Sequence, residues 1–460
     1  MAQLPTAAQR PTNVRYIVLL FLGVLAFITY FDRVCISSAQ HVIQHDLNLT
    51  DGQLSLVFSG FWLTYALFEI PSGWISDRFG SRRALSRIVL AWSIFTALSG
   101  AAMGFISLLT YRLLFGAGEA GAFPNLARVQ SRWFSKASQG RIGGALWCIS
   151  RWGGALSFIL FPKLLAALDS KPFRKQFDGL PFIGGLATIP SWRMGFWICG
   201  LVGLVWVMLF YPWFRDNPSH KRSVNQAELD LIQAGSAGQD LHGQVRMSRF
   251  EWRALFSSPN LWGIAIAYMC GSFSWSFFVS WMPKYMHDVQ NPSERIAGLL
   301  NTGPLLVGGV ACVLGGWLSD IAVRRTGNAR WGRAIFPIIG FGTAATAMAG
   351  IAFAKTPTQA FVLMCIGSFG NDIGQGAEWA SVISVGGMFA GTAFGFINMV
   401  ANVGGNTLQP PIGQAIFNHA GWHTLFWVYG AVYLTASLIW TRVNPTRRFY
   451  VDEGSRGANG

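Results

Sequence analysis

Apolar stretches of about twenty residues recur along the whole chain, and each could cross the roughly 30 Å hydrocarbon core of a bilayer as a helix. Twelve stretches can be counted, beginning near residues 15, 53, 84, 105, 141, 193, 259, 294, 333, 357, 391 and 422. Of the 460 residues, 12% are charged, against about 25% in soluble domains. The sequence therefore predicts an all-α membrane protein with twelve transmembrane helices.

The net charge of +15 does not indicate a nucleic-acid-binding protein, because the basic residues form no continuous stripe. They collect between the apolar stretches, in segments 78–87, 128–141, 215–253, 324–333 and 442–456. This distribution follows the positive-inside rule and predicts that both termini are cytoplasmic. The loop 169–193 is an exception, because Lys171, Arg174 and Lys175 fall on the predicted outer side.

One long polar interruption, residues 215–258, divides the stretches into six and six. The predicted organisation is an N-terminal tail (1–14), a six-helix bundle (15–214), a cytoplasmic linker (215–258), a second bundle (259–442) and a C-terminal tail (443–460). Within the linker, Asn225 and Glu228 have the spacing of a helix capping box.

A short repeat supports this division. The sequence "GWISD" at 73–77 recurs as "GWLSD" at 316–320, and each copy follows the second span of its half and precedes a basic run. Paired six-span halves are typical of transporters in which one half rocks against the other around a site at the midplane. We therefore predict two pseudo-symmetric bundles with a binding site between them.

The stretch "GWISDRFGSRR" resembles the loop between helices two and three of the major facilitator superfamily, whose pattern is G-x-x-x-D-R-x-G-x-R-R. In that family the loop is a cytoplasmic latch between gate states. The resemblance assigns gating roles to Gly73, Asp77, Arg78, Gly80 and Arg83. The repeat extends this prediction to Asp320.

Other stretches resemble the anion:cation symporter branch of that superfamily: "ITYFDRVCIS" (28–37), "FSGFWLTYALFEIPSGW" (58–74), "RLLFGAGEAGAFPN" (112–125) and "SWMPKYM" (280–286). The branch includes galactonate, glucarate and hexuronate carriers and vesicular glutamate, sialic acid and phosphate transporters. The resemblance spans residues 14–445 and implies proton-coupled symport of an organic anion, such as an aldonate, uronate or aldarate. We expect a monomer in the inner membrane of a bacterium, in contact with lipids.

Several apolar stretches contain charges, and each charge is costly in hydrocarbon unless it faces a polar cavity. Arg33 and Arg112 could supply fixed positive charge that attracts a carboxylate. Burial favours a protonated carboxyl and a nearby arginine favours the ionised form, so a carboxyl between these influences can load and release a proton. The resemblance gives this role to Asp32 and Glu119, and substrate binding to Arg33. Alternatively, Arg112 and Glu119 form a structural ion pair.

The resemblance also implies polar and aromatic residues that orient a sugar acid. Aromatic faces suit the C–H side of a polyol, and amides and phenols exchange hydrogen bonds with hydroxyls. For each residue, helix packing is an equally good explanation. The matching positions are Tyr30, Tyr65, Tyr268, Trp379 and Asn398.

The sequence departs from the family pattern at Arg151, where sugar-acid carriers more usually have glutamine. Asp372 and Glu378 add charges near a position that is usually uncharged. Arg151 could bind a second anionic group of the substrate, or it could pair with Asp372 or Glu378 across the two halves. We favour the pair, because charges introduced together usually neutralise one another.

Other function classes have little support. The motifs HExxH, GxSxG and the Walker loop are absent, which argues against an enzyme. The linker is too short for the soluble domain of a membrane sensor. The six cysteines show no metal-ligand spacing, so we expect neither metal nor cofactor. An anion exchanger, or a sodium- or phosphate-linked carrier, remains the alternative within transport.

Overall fold

A computed structural model describes residues 10–176, 188–233, 247, 249–278, 282–285 and 294–450. Residues 1–9 and 451–460 of the two predicted tails lie outside this description, as do parts of the linker, of the loop 169–193 and of the "SWMPKYM" stretch. The described residues of the first half and linker form ten α-helices: α1 (Val14–Ser38), α2 (Gln40–Asp46), α3 (Asp51–Phe79), α4 (Ser81–Ser99), α5 (Phe105–Glu119), α6 (Ala122–Trp133), α7 (Gln139–Leu168), α8 (Lys171–Lys175), α9 (Ser191–Trp213) and α10 (Gln226–Gln233). Nine more follow in the described part of the chain: α11 (Arg249–Ser257), α12 (Pro259–Ser276), α13 (Met282–Tyr285), α14 (Glu294–Thr326), α15 (Ala329–Ile351), α16 (Pro357–Ile373), α17 (Gln375–Gly386), α18 (Ala390–Asn402) and α19 (Gln409–Arg442).

The predicted all-α fold is confirmed. Seven helical stretches of described residues are long and apolar enough to cross a membrane, and the last, Pro357–Arg442, is 86 residues long. That stretch contains three consecutive spans, formed by α16 with α17, by α18 with the start of α19, and by the end of α19 after a kink at Gly421. At the three other predicted positions the described residues form α4, the α5–α6 pair and α12, so helices of the described part of the chain occupy all twelve predicted spans.

The fourth span is not one continuous helix. Helix α5 ends at Glu119, and α6 begins at Ala122 after a break in which Gly121 has φ 91°. A Cβ atom at Gly121 would lie 2.2 Å from Cβ of Ser72. Because that conformation disfavours residues with a Cβ, glycine permits both the break and the close approach of α3.

The two halves meet mainly along two helix pairs, α7 with α14 and α3 with α18, while α17 also contacts α7 and α18 also contacts α6. Glycines allow backbone contact in both pairs, since a Cβ at Gly144 would lie 2.1 Å from the Cys312 oxygen and one at Gly395 would lie 2.6 Å from the Glu69 oxygen. We call the end of the bundle where α1 begins and α19 ends the base, and the opposite end the mouth. The paired helices hold the halves together towards the base.

The first described part of the linker, residues 215–233, is attached to the first half. Asn225 caps α10, because its Oδ1 atom accepts from the Glu228 N–H at 3.0 Å. The Glu228 carboxylate does not complete the predicted capping box. It accepts instead from the N–H groups of Val14 and Arg15, both at 3.0 Å. An anion is stabilised at a helix N-terminus, so Glu228 fixes α10 to the start of α1.

Candidate functional site

A cavity of about 1100 Å³ lies between the two halves. Its wall includes residues of α1, α3 and α7 from the first half and residues of α12, α14, α17 and α18 from the second. Of the predicted substrate-binding residues, six line it: Tyr30, Arg33, Tyr65, Arg151, Tyr268 and Asn398. Among the described residues that line the cavity, Arg112 and Trp379 are not found.

Arg33 forms an ion pair with Glu119, in which Nε donates to Oε1 at 2.8 Å. The contact is incomplete, because Nη2 of Arg33 and Oε2 of Glu119 have no hydrogen-bond partner among the described residues. The guanidinium also lies over the Tyr65 ring, 4.3 Å from its centroid, a cation–π arrangement that holds the charge at the cavity wall. This pair could exchange one of its partners for a substrate anion.

Asp32 and Arg112 lie behind this wall. Asp32 is 2% exposed, and within the described part of the chain neither of its carboxylate oxygens has a hydrogen-bond partner. It interacts electrostatically with Glu119 and Arg112. Among the described residues, Arg33 has a guanidinium nitrogen within 4.0 Å of a Glu119 oxygen, and Arg112 does not. The alternative of a direct Arg112–Glu119 ion pair is therefore wrong for this conformation.

Two cysteines adjoin Asp32. The sulfur atoms of Cys35 and Cys199 are 3.9 Å apart, and the potential ligand atoms of the three residues lie within 4.8 Å of one another. The Arg112 charge also acts on Cys35 and Asp32. A guanidinium close to these groups opposes a metal cation, so they offer a poor metal site.

Arg151 pairs with Asp372 across the two halves, as the favoured alternative predicts. The contact is bidentate, with Nη2 donating to Oδ1 at 2.8 Å and Nε to Oδ2 at 3.2 Å. Asp372 also accepts from the Asn371 amide at 2.6 Å. The Arg151 guanidinium lies 3.9 Å from the Trp275 ring centroid. Both charges are thus well satisfied, and Glu378 takes no part in the pair.

Trp379 is fully buried and packs against Trp147 and Phe394, with ring centroids 5.8 Å and 4.6 Å away. Asn398 lines the cavity and donates a hydrogen bond to Glu69 across the halves. Glu69 is fully buried, and its second oxygen has no hydrogen-bond partner in the described structure. Sequence reasoning missed Glu69, although a lone acid within an apolar span is itself a signal of a functional position.

Two of the predicted gating residues, Asp77 and Asp320, come one from each copy of the repeat and contact the opposite half at the base. Asp77 pairs with Arg128 and accepts from the N–H and hydroxyl of Thr392, at 2.7 and 2.6 Å. Asp320 accepts from the N–H groups of Gly140 and Arg141, at 3.1 and 2.8 Å. Each aspartate therefore binds the N-terminus of a helix of the opposite half, which is a favourable position for an anion.

The other residues of this motif lie at or near the turn between α3 and α4. Gly80 has φ 86° at this turn, where a side chain would be strained. The Arg78 guanidinium lies over the Trp74 ring at 5.2 Å, and Arg83 is exposed. Gly73 approaches the opposite half so closely that a Cβ atom there would lie 2.4 Å from the Gly391 oxygen. The motif therefore makes two kinds of contact with the second half: the backbone of Gly73 lies against Gly391, and Asp77 forms hydrogen bonds with Thr392.

Comparison with protein families identifies the superfamily to which this chain belongs. The family description "Major Facilitator Superfamily" matches residues 22–406, most of the chain. The chain belongs to this superfamily. Like the rest of the superfamily, it is a membrane transporter and not an enzyme.

Several curated relatives of this transporter are named as transporters of organic anions. It is 29% identical over 431 residues to a probable sulfoacetate transporter of Cupriavidus necator, covering 94% of each chain. It is 27% identical over 421 residues to a D-galactonate transporter of Escherichia coli, covering 89% of this chain and 91% of that one. Among solved structures, the proton:xylose symporter has a TM-score of 0.70 at 16% identity, covering 93% and 95% of the two chains. That last likeness shows the fold.

Proposed function

We propose that this superfamily member is a secondary active transporter that couples the uptake of an organic anion to protons by alternating access. The incomplete Arg33–Glu119 pair carries the proposal. It lies at the wall of a cavity between two halves, and each partner keeps an atom without a contact among the described residues. An entering carboxylate can form two hydrogen bonds to Arg33, and Glu119 can then take a proton, since it loses its cation.

Asp32 supports the same mechanism. It lies one residue before Arg33 and interacts electrostatically with Glu119 and Arg112. Protonation of Asp32 or Glu119 would reduce the negative charge around Arg33 and would favour anion binding. Release of the proton on the other side of the membrane would restore the pair and expel the anion. Proton and anion would therefore move in the same direction.

We propose a sugar acid as the substrate, with both termini cytoplasmic in the plasma membrane of a bacterium and a monomer as the working unit. A relative named as a D-galactonate transporter and another named as a probable galactarate/D-glucarate transporter support this class. The first relative named above points to sulfoacetate as the compound to test beside them. Arg33 would hold the carboxylate, and Tyr30, Tyr65 and Asn398 would contact the rest of the molecule.

Uptake into proteoliposomes tests the proposal. Purified protein would first be screened by thermal shift with D-galactonate, D-glucarate and sulfoacetate, because a bound ligand stabilises the folded state. In choline buffers, with the inside of the liposomes more alkaline, we expect uptake of the stabilising acid against its gradient. A protonophore should abolish that accumulation. Uptake that ignores the pH gradient and the protonophore would contradict proton coupling.

A further inference from the structure

The second half contributes a polar wall to the cavity, and the substrate contact predicted for Tyr268 does not account for the other residues of this wall. Asn371 lies near the end of α16, and Gln375 and Glu378 lie at the start of α17, at spacings of four and three residues. Gly374 between the two helices keeps helical backbone angles, so the three residues share a face. All three line the cavity, as does Tyr268 of α12. Their side chains are 2%, 9%, 0% and 6% exposed, respectively. We call these four residues the oxygen wall.

The oxygen wall presents acceptor atoms that have no hydrogen-bond partner among the described residues. These atoms are Oδ1 of Asn371, Oε1 of Gln375, both carboxylate oxygens of Glu378 and the hydroxyl oxygen of Tyr268. Buried polar atoms are nearly always satisfied. The set contains no nitrogen or sulfur ligand, and oxygen-only ligands suit hard cations.

The charges around Glu378 also favour a cation. The charged group that acts on Glu378 is another acid, Asp372, and the indole N–H of Trp440 is a neutral donor on the side of Glu378. Arg151 cannot neutralise Glu378 in this conformation, because Asp372 binds it through both oxygens. A buried carboxylate without a counter-charge is very costly. One carboxylate matches one positive charge, which favours a monovalent over a divalent cation.

We propose that the oxygen wall is a binding site for Na⁺, located in the second half and separate from the carboxyls Asp32 and Glu119. Glu378 supplies the counter-charge, and the amide oxygens of Asn371 and Gln375 and the Tyr268 hydroxyl complete the ligand set. This site goes beyond the proposed proton coupling and does not depend on it. A substrate-free test therefore separates the two.

The experiment is a thermal-shift titration of the full chain in detergent, at fixed pH and fixed ionic strength, with NaCl replacing choline chloride. We expect a saturable stabilisation by Na⁺ that KCl does not reproduce at equal concentration. Glu378→Gln should weaken the apparent Na⁺ affinity at least tenfold. Gln375→Leu, which keeps the carboxylate, should weaken it by a smaller factor.

Glu69→Gln is the matched control, since it makes the same chemical change at another fully buried acid of the cavity region. It should leave the Na⁺ titration of the protein unchanged. If the unaltered protein shows no difference between Na⁺ and choline, Glu378 holds only a proton and the proposed site is wrong. A response that Glu69→Gln removes and Glu378→Gln preserves would also overturn it. Because no substrate is present, a failure of proton-driven uptake cannot produce either result.

Discussion

Two buried arginine–carboxylate pairs flank the same cavity, and they differ in how completely each is satisfied. Arg33 and Glu119 both belong to the first half and share one hydrogen bond. Arg151 and Asp372 belong to different halves and share two, with a third donor to Asp372 from Asn371. A satisfied pair resists rearrangement, whereas a pair with spare atoms can accept a new partner. We infer that the first pair serves binding and the second joins the halves.

The largest effect is expected at the pair between the halves. Arg151→Gln leaves Asp372 buried without its cation, and removal of one partner of a buried pair costs about 3–5 kcal/mol. The melting temperature in detergent should fall markedly. Arg151→Gln combined with Asp372→Asn should recover part of the loss, because no unpaired charge remains.

The alternative role of Arg151 gives a different result. If Arg151 binds a second anionic group of the substrate, Arg151→Gln should spare stability and weaken D-glucarate binding more than D-galactonate binding. The double variant would then restore nothing. That outcome would reverse the roles assigned to the two pairs.

The next effect concerns binding at Arg33. Arg33→Ala removes the guanidinium that keeps a spare donor at the cavity wall, so binding of the acid selected by the thermal-shift screen should weaken at least a hundredfold, about 2.7 kcal/mol. Isothermal titration measures this loss. Arg33→Lys keeps the charge but cannot donate two parallel hydrogen bonds. Its affinity for the acid should lie between that of the unaltered protein and that of Arg33→Ala. Unchanged affinity in Arg33→Ala would contradict a substrate contact.

A smaller change in affinity, with a clear change in coupling, is expected at the two carboxyls of the first half. Glu119→Gln imitates the protonated acid, so the affinity should change by no more than about tenfold, while pH-driven accumulation should fail. Exchange of labelled for unlabelled substrate should continue. Asp32→Asn should act in the same direction. Normal accumulation by both variants would show that the proton is carried elsewhere.

The smallest effect is expected at the base. Thr392→Val removes the hydroxyl donor to Asp77 but keeps the backbone N–H donor. Loss of one hydrogen bond to a charged group costs about 1.5–3 kcal/mol at most, and the remaining donor should limit the change to about 1 kcal/mol. The equilibrium should shift towards a conformation open at the base, measurable as faster labelling of a cysteine introduced at Ala390, a small residue that is buried at the start of α18. Unchanged labelling would indicate that Arg128 and the N–H group of residue 392 hold Asp77 without the hydroxyl.

The sequence was sufficient for the general course of the helices and for most of the charges buried near the cavity, but it did not predict the role of Glu69 or the break at Gly121. Long apolar stretches predict spans directly, because a membrane requires each backbone polar group to be satisfied within its own helix. The repeat at 73–77 and 316–320 also predicted which aspartates lie at the base. Both results depend on local composition and spacing.

Partner choice could not be predicted in the same way. Arg112 and Glu119 share a face of α5, but their seven-residue separation places them roughly 10 Å apart, and a different helix supplies the arginine that reaches Glu119. The break at Gly121 depends on the contact with Ser72, which lies far away in the sequence. Such contacts are set by packing between helices, which no single span encodes.

The attachment of Glu228 to the start of α1 has a consequence for how the chain can be divided. Residues up to Gln233 are held by the first bundle, so a break in the polypeptide between residues 234 and 246 would leave that attachment whole. Two fragments that are expressed together and separated there should reassemble in the membrane. A cut at residue 215 would instead remove Glu228 from the first fragment, and the start of α1 would lose this acceptor from its own polypeptide. The preferred point of division would thus lie inside the linker, nearer to residue 258 than to residue 215.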